Sequence, residues 1–235
     1  MEQIIEEVRQ ALRENADENT LQNGQRVFKE KVEFYGVKVT VIHRIARRFF
    51  GKIEELPKAN IFVLCEELWK SGYNEEHWVA CDWSYWIEKE FEPGDFETFE
   101  NWLSKYVNNW ASCDTLCNHT VGAFIERYPE YVERLKRWAR SENRWVKRGA
   151  AVTLIIPARK GLFLSDIFEI ADILLTDPDD LVQKGYGWML KAASQAYPDE
   201  VFDYVISKKA VMPRTAFRYA IEKLSPERRA EAMEK

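Results

Sequence analysis

Glycine, proline, cysteine and histidine are all scarce here, and a surplus of positive charge is missing. The 235 residues include 10 Gly and 8 Pro, so long stretches are free to stay in regular structure. Four cysteines (Cys65, Cys81, Cys113 and Cys117) are too few for a disulfide framework in a chain of this length, which points to a reducing, cytoplasmic setting. No apolar run reaches the 18 or so residues that a membrane-crossing helix needs, so no membrane association is expected. The first twenty residues are acidic and lack an apolar stretch, so neither a secretory signal nor a transit peptide is expected. The formal net charge of −5 runs against the usual basic balance of nucleic-acid binders, although a repeat array can be acidic outside and basic along one stripe.

What the chain does have is 46% hydrophobic residues, nine of them Trp, and a repeating pattern. Three segments open with polar capping residues and run into an apolar pair: Asn74 to Asp82, Ser141 to Arg148, and Pro178 to Lys184. Val146 and Val182 are 36 residues apart. Val79 and Val146 are separated by 67, two periods, the second filled by Trp110 to Cys117. A period of about 33–36 residues with two helices per unit predicts an all-α solenoid of HEAT, armadillo or tetratricopeptide type. Turn signals bound helices near 2–14, 22–33, 38–50, 58–70, 75–90, 95–107, 112–126, 130–140, 144–157, 163–175, 179–195, 198–207, 213–223 and 226–234. Residues 163–175 carry Phe163, Leu164, Ile167, Ile170, Ala171 and Leu174 at helical spacing. Short linkers throughout predict one domain over 1–235.

Several constellations are chemically suggestive, each with a plainer reading beside it. Trp110 and Asp114 are four apart and share a face if a helix starts at Trp110; Asp114 would otherwise serve as a capping and dipole residue. Lys147 and Arg148 fall in the first turn of a repeat helix, as a phosphate site or as a solvated basic pair. In Gln183 to Trp188, Gly185 and Gly187 mark close packing or close approach to a ligand, with Trp188 one turn from Lys184. The run from His43 to Arg48, with Arg44 and Arg47, crosses a nucleic-acid backbone or is a solvated face. Cys113, Cys117 and His119 have no second ligand pair, so no metal site is expected. No phosphate-cradling glycine loop or nucleophile elbow occurs, so no nucleotide cofactor is expected.

Taken together, the blocks Asn109 to Asp114, Trp138 to Arg148 and Val182 to Leu190, in that order on a helical-repeat frame, resemble the AlkD family of DNA glycosylases. The Gly-containing turn Phe34-Tyr35-Gly36-Val37 before a basic helix adds to it, and the resemblance spans about residues 22–225. It implies a C-shaped stack of HEAT-like repeats around a basic groove for duplex DNA, and excision of N3- or N7-alkylated purines by a monomer. It carries active-site roles to Trp110, Asp114, Arg148 and Trp188. Such a base is cationic and already a good leaving group, so a carboxylate that stabilises the oxocarbenium-like sugar and orients water suffices. The cations expected on DNA are Arg44, Arg47, Lys147, Lys184, Lys191, Arg214 and Arg218. The alternative is a catalytically inactive HEAT-like protein that binds DNA or a protein partner.

Overall fold

A computed structural model describes residues 2–234. These divide into two compact units, one ending at Leu116 and one beginning at Cys117, and each is taken by itself. Among the described residues there is no strand, only an isolated bridge between Glu33 and Tyr73.

The first unit runs α1 (Glu2–Glu14), α2 (Glu18–Val27), α3 (Val39–Phe50), α4 (Lys58–Lys70), α5 (Asn74–Trp86), α6 (Asp95–Lys105) and α7 (Trp110–Thr115). The expected helix at 22–33 starts earlier because Asp17 caps it, accepting from Thr20 N at 2.7 Å. Helix α2 ends at Val27, and a largely extended loop leads to α3. The expected helix at 75–90 closes at Trp86, with a 3₁₀ turn at Glu88–Glu90. Helix α4 packs on α5, α3 on α5, and α5 on α7, so every second helix stacks on the next. Val39, Asn74 and Trp110 open those stacked helices, which puts the starts 35 and 36 residues apart. The core between them is dominated by fully buried aromatics, among them Trp69, Trp83, Phe91, Phe96, Phe99 and Trp102.

The second unit holds α8 (Gly122–Arg127), α9 (Val132–Trp138), α10 (Arg144–Val152), α11 (Ile155–Arg159), α12 (Leu164–Leu174), α13 (Asp180–Ala193), α14 (Pro198–Lys208), α15 (Arg214–Ala220) and α16 (Pro226–Met233). Where one helix is expected over 112–126, α7 gives way to a π-helical segment, Leu116–Val121, before α8. The expected helix at 144–157 is interrupted between Val152 and Ile155. Pro157 has no N–H to give the Thr153 carbonyl, so the helix closes and restarts. Helix α10 packs on α13 and α13 on α15, their starts at Arg144, Asp180 and Arg214 being 36 and 34 residues apart. Leu135, Ile167, Ile170, Val182, Tyr186 and Leu190 fill this core. Among the described residues, no helix is long and apolar enough to cross a membrane.

Candidate active site

In the first unit, Trp110 and Asp114 are the first and fifth residues of α7, so they do share a face. Asn109 is the N-cap, its Oδ1 accepting from Ser112 N at 2.9 Å; the capping role is therefore filled without Asp114. Both Trp110 and Asp114 are half-buried. The ring of Phe28 stacks on Trp110, centroids 5.2 Å apart and planes 18° from parallel, and Phe34 tilts against Phe28 at 5.4 Å.

Beneath α7 lies a buried polar network that fixes where the helix begins. His77 is fully buried, its Nε2 at 3.1 Å from the Trp69 carbonyl and its Nδ1 at 3.1 Å from Ser112 Oγ. Burial lowers the His77 pKa to about 4. A carbonyl only accepts, so the neutral ring carries its proton on Nε2, and its Nδ1 competes with Asn74 Oδ1 for the single Ser112 hydroxyl hydrogen. Ser112 Oγ also lies 2.9 Å from Asn74 Oδ1 and receives the Asn109 amide at 3.2 Å.

The same turn of α5 ties down the loop before α3. Glu75, 2% exposed, accepts from the backbone N–H of Tyr35, Gly36 and Val37 at 3.1, 2.9 and 3.1 Å. Glu76, next to it, takes Arg9 Nε at 3.1 Å and the Tyr35 hydroxyl at 2.7 Å. Burial, then the Glu76 carboxylate, pushes the Tyr35 phenol well above its usual range. Gly36 sits at φ +89°, and a Cβ there would lie 2.8 Å from the Asp17 carbonyl oxygen and from Leu21 Cβ.

On α3, Arg44 is exposed and has no carboxylate partner among the described residues. Arg47 lies over the Trp86 ring at 3.8 Å. His43 pairs through Nδ1 with Asp82 Oδ2 at 2.6 Å.

In the second unit, Arg148 is 5% exposed and its Nη1 donates to the Leu181 carbonyl. A Cβ on Gly185 would lie 3.3 Å from Arg148 Cγ; on Gly187 it would lie 2.8 Å from the Ala216 carbonyl oxygen and from Tyr219 Cβ. Both glycines thus have a packing reason: one makes room for Arg148, the other lets α13 approach α15. Trp188 is half-buried on α13.

Sequence reasoning missed the acids that meet the expected DNA cations. Lys147 pairs with Asp177, Lys184 with Asp180 at 3.2 Å and Lys191 with Glu222 at 3.0 Å. Asp179 caps α13 through Leu181 N at 2.9 Å and also takes Arg144. Arg214 and Arg218, by contrast, are exposed, without carboxylate partners among the described residues. They line a groove of about 850 Å³ between α15 and α16 with Tyr219, Glu222, Arg229 and Met233. Cys113 and Cys117 are buried while His119 is exposed, and no group of three metal-ligating side chains forms among the described residues.

No curated protein matches the chain. Two solved structures share its fold. A protein of Enterococcus faecalis, described as a predicted DNA alkylation repair enzyme, is 17% identical, with a TM-score of 0.80 over 90% of this chain and 98% of its own. The smu.31 protein of Streptococcus mutans UA159 is 20% identical, with a TM-score of 0.58 over 79% of this chain and 98% of its own. A family model described as DNA alkylation repair enzyme matches residues 8–224, nearly the whole length, and the chain belongs to that family.

Proposed function

We propose that this alkylation repair protein is a DNA glycosylase that releases N3- or N7-alkylated purines from duplex DNA, acting as a monomer of one repeat domain without metal or nucleotide cofactor. The observation that carries the reading is the pair Trp110 and Asp114 on one face of a helix whose cap is supplied by Asn109. Asn109 supplies the cap, and the Asp114 charge is the group that a developing sugar cation calls for. The Trp110 face would hold the cationic sugar, with the Phe28 ring now stacked on it either sharing or yielding that position. Trp188 is assigned the same aromatic role. Arg148 is assigned to a backbone phosphate.

A second reading, a catalytically inactive HEAT-like protein that binds DNA or a protein partner, is favoured by one observation: Lys147, Lys184 and Lys191 each already hold a carboxylate. The deciding experiment is incubation with methylated duplex DNA and measurement of free 3-methyladenine and 7-methylguanine. Release above the spontaneous rate, undiminished by a chelator, supports the glycosylase. Duplex binding without release supports the second reading, and binding that is flat between low and physiological salt would remove DNA as the partner.

A further inference from the structure

The block Trp110, Ala111, Ser112, Cys113, Asp114 has a counterpart one repeat earlier: Trp78, Val79, Ala80, Cys81, Asp82. Tryptophan, cysteine and aspartate recur at the same spacing, and both Cys are buried while both Trp and both Asp are half-buried. Trp78 is the fifth residue of α5 and Trp110 the first of α7, so the two blocks are offset by about one helical turn on helices that pack on one another. Residues four apart share a helix face, so an offset of one turn leaves both Trp–Asp pairs on the same side of their helices.

Asp82 Oδ2 lies 2.6 Å from His43 Nδ1. The His43 side chain is about half exposed, and its Nε2 has no protein partner among the described residues. Arg44, uncommitted to any acid, is the next residue, and Arg47 is one turn on. We propose that His43, oriented by Asp82, is a phosphate-contacting residue: in its doubly protonated form Nδ1–H is held by Asp82 and Nε2–H is donated to a backbone phosphate of duplex DNA, one repeat away from Trp110 and Asp114. This rests on the DNA-repair reading above. The neutral ring offers the phosphate a lone pair from Nε2 once Asp82 holds Nδ1–H, so contact takes up one proton.

Helix α3 packs against α5 and α1. From α5, Asp82 faces the ring directly, while Glu75 and Glu76 are engaged by the 35–37 amides, Arg9 and Tyr35. From α1, Glu7 pairs with Lys52 and feels Arg48, which lies about 140° round α3 from His43. The remaining neighbours on α3, Arg44 and Arg47, are permanently cationic.

The test is the affinity of the full chain for a fluorescein-labelled undamaged duplex at pH 6 and pH 8, as a function of salt, with melting temperature as a check on folding. The wild type is expected to bind about 5–10-fold tighter at pH 6. Its log–log salt slope should steepen there by about 1, the signature of one more phosphate contact. His43→Ala should bind equally at both pH values, His43→Lys should bind tightly at both, and Asp82→Asn should lose most of the gain at pH 6. A folded His43→Ala with the wild-type pH profile would overturn the proposal and leave the glycosylase reading standing. Absence of duplex binding by the wild type would overturn both.

Discussion

Arg148 Cγ lies 3.3 Å from the point where a Cβ on Gly185 would be, so the seat of this arginine is cut into α13 by the absence of a side chain. Helical propensity favours Ala over Gly by about 1 kcal/mol. Gly185→Ala gains that term and loses it again in displacing a flexible arginine stem. Stability should stay within about 1 kcal/mol of wild type, while duplex affinity falls because Arg148 is moved. Gly187→Ala meets backbone at 2.8 Å, which cannot step aside, and should cost about 1–3 kcal/mol. Thermal melts of the two variants, with duplex titration of the first, check the ranking.

Asp114→Asn removes charge and keeps shape. Base release should fall by about 10²–10³-fold, the range for one preorganised electrostatic group. Undamaged duplex should bind as well or slightly better, and stability should shift by under about 1 kcal/mol, since Asn109 does the capping. A variant that melts several degrees lower yet releases 3-methyladenine at the wild-type rate would make Asp114 a structural residue.

His77 gives unit one an acid sensitivity of defined sign. Its folded pKa, about 4, is below the ordinary 6.5, so the native state binds fewer protons than the unfolded chain. The contribution is fully present above pH 6.5 and is lost as pH falls towards 4, by up to about 3 kcal/mol. Urea denaturation at pH 7 and pH 4.5 should show wild type losing more stability than His77→Gln over that interval. Equal losses would contradict a buried neutral ring.

Glu75→Gln tests the anchoring of the loop before α3. The amide oxygen can still receive Gly36 and Val37, but its NH₂ then confronts the Tyr35 N–H. A loss of about 1–3 kcal/mol is expected, from one unsatisfied buried donor and weaker bonds at the others. Chemical denaturation measures it, and wild-type stability would show that water replaces the carboxylate.

The helical frame was legible because its signals are local. Prolines, glycines and a 3.6-residue apolar period mark each element, and the spacing of the Val79, Val146 and Val182 segments matches the stacked helices that contain them. The Trp110 and Asp114 face was legible for the same reason. Interactions distant in sequence were not. Glu75 at the start of α5 looks like an ordinary dipole residue, yet its partners lie about forty residues upstream. Phe28 was placed inside an expected helix, whereas α2 ends at Val27 and leaves it free to reach Trp110. Lys147 looks like a phosphate ligand until Asp177, thirty residues on, folds against it.

Solenoids tend to unravel from an end, each repeat held only by its neighbour. The first turn of α5 departs from that rule. Asn74, Glu75, Glu76 and His77 are all buried, and between them they grip α1 through Arg9, the 35–37 loop, α4 through the Trp69 carbonyl and α7 through Ser112. Peeling α1 and the loop from the array would break the Arg9 and Tyr35 bonds to Glu76 and the three amide bonds to Glu75 together, in addition to exposing apolar surface. The N-terminal unit should therefore open as one cooperative block, with the Tyr35, Gly36 and Val37 amides exchanging their hydrogens as slowly as those in the α5 core although they lie in no helix.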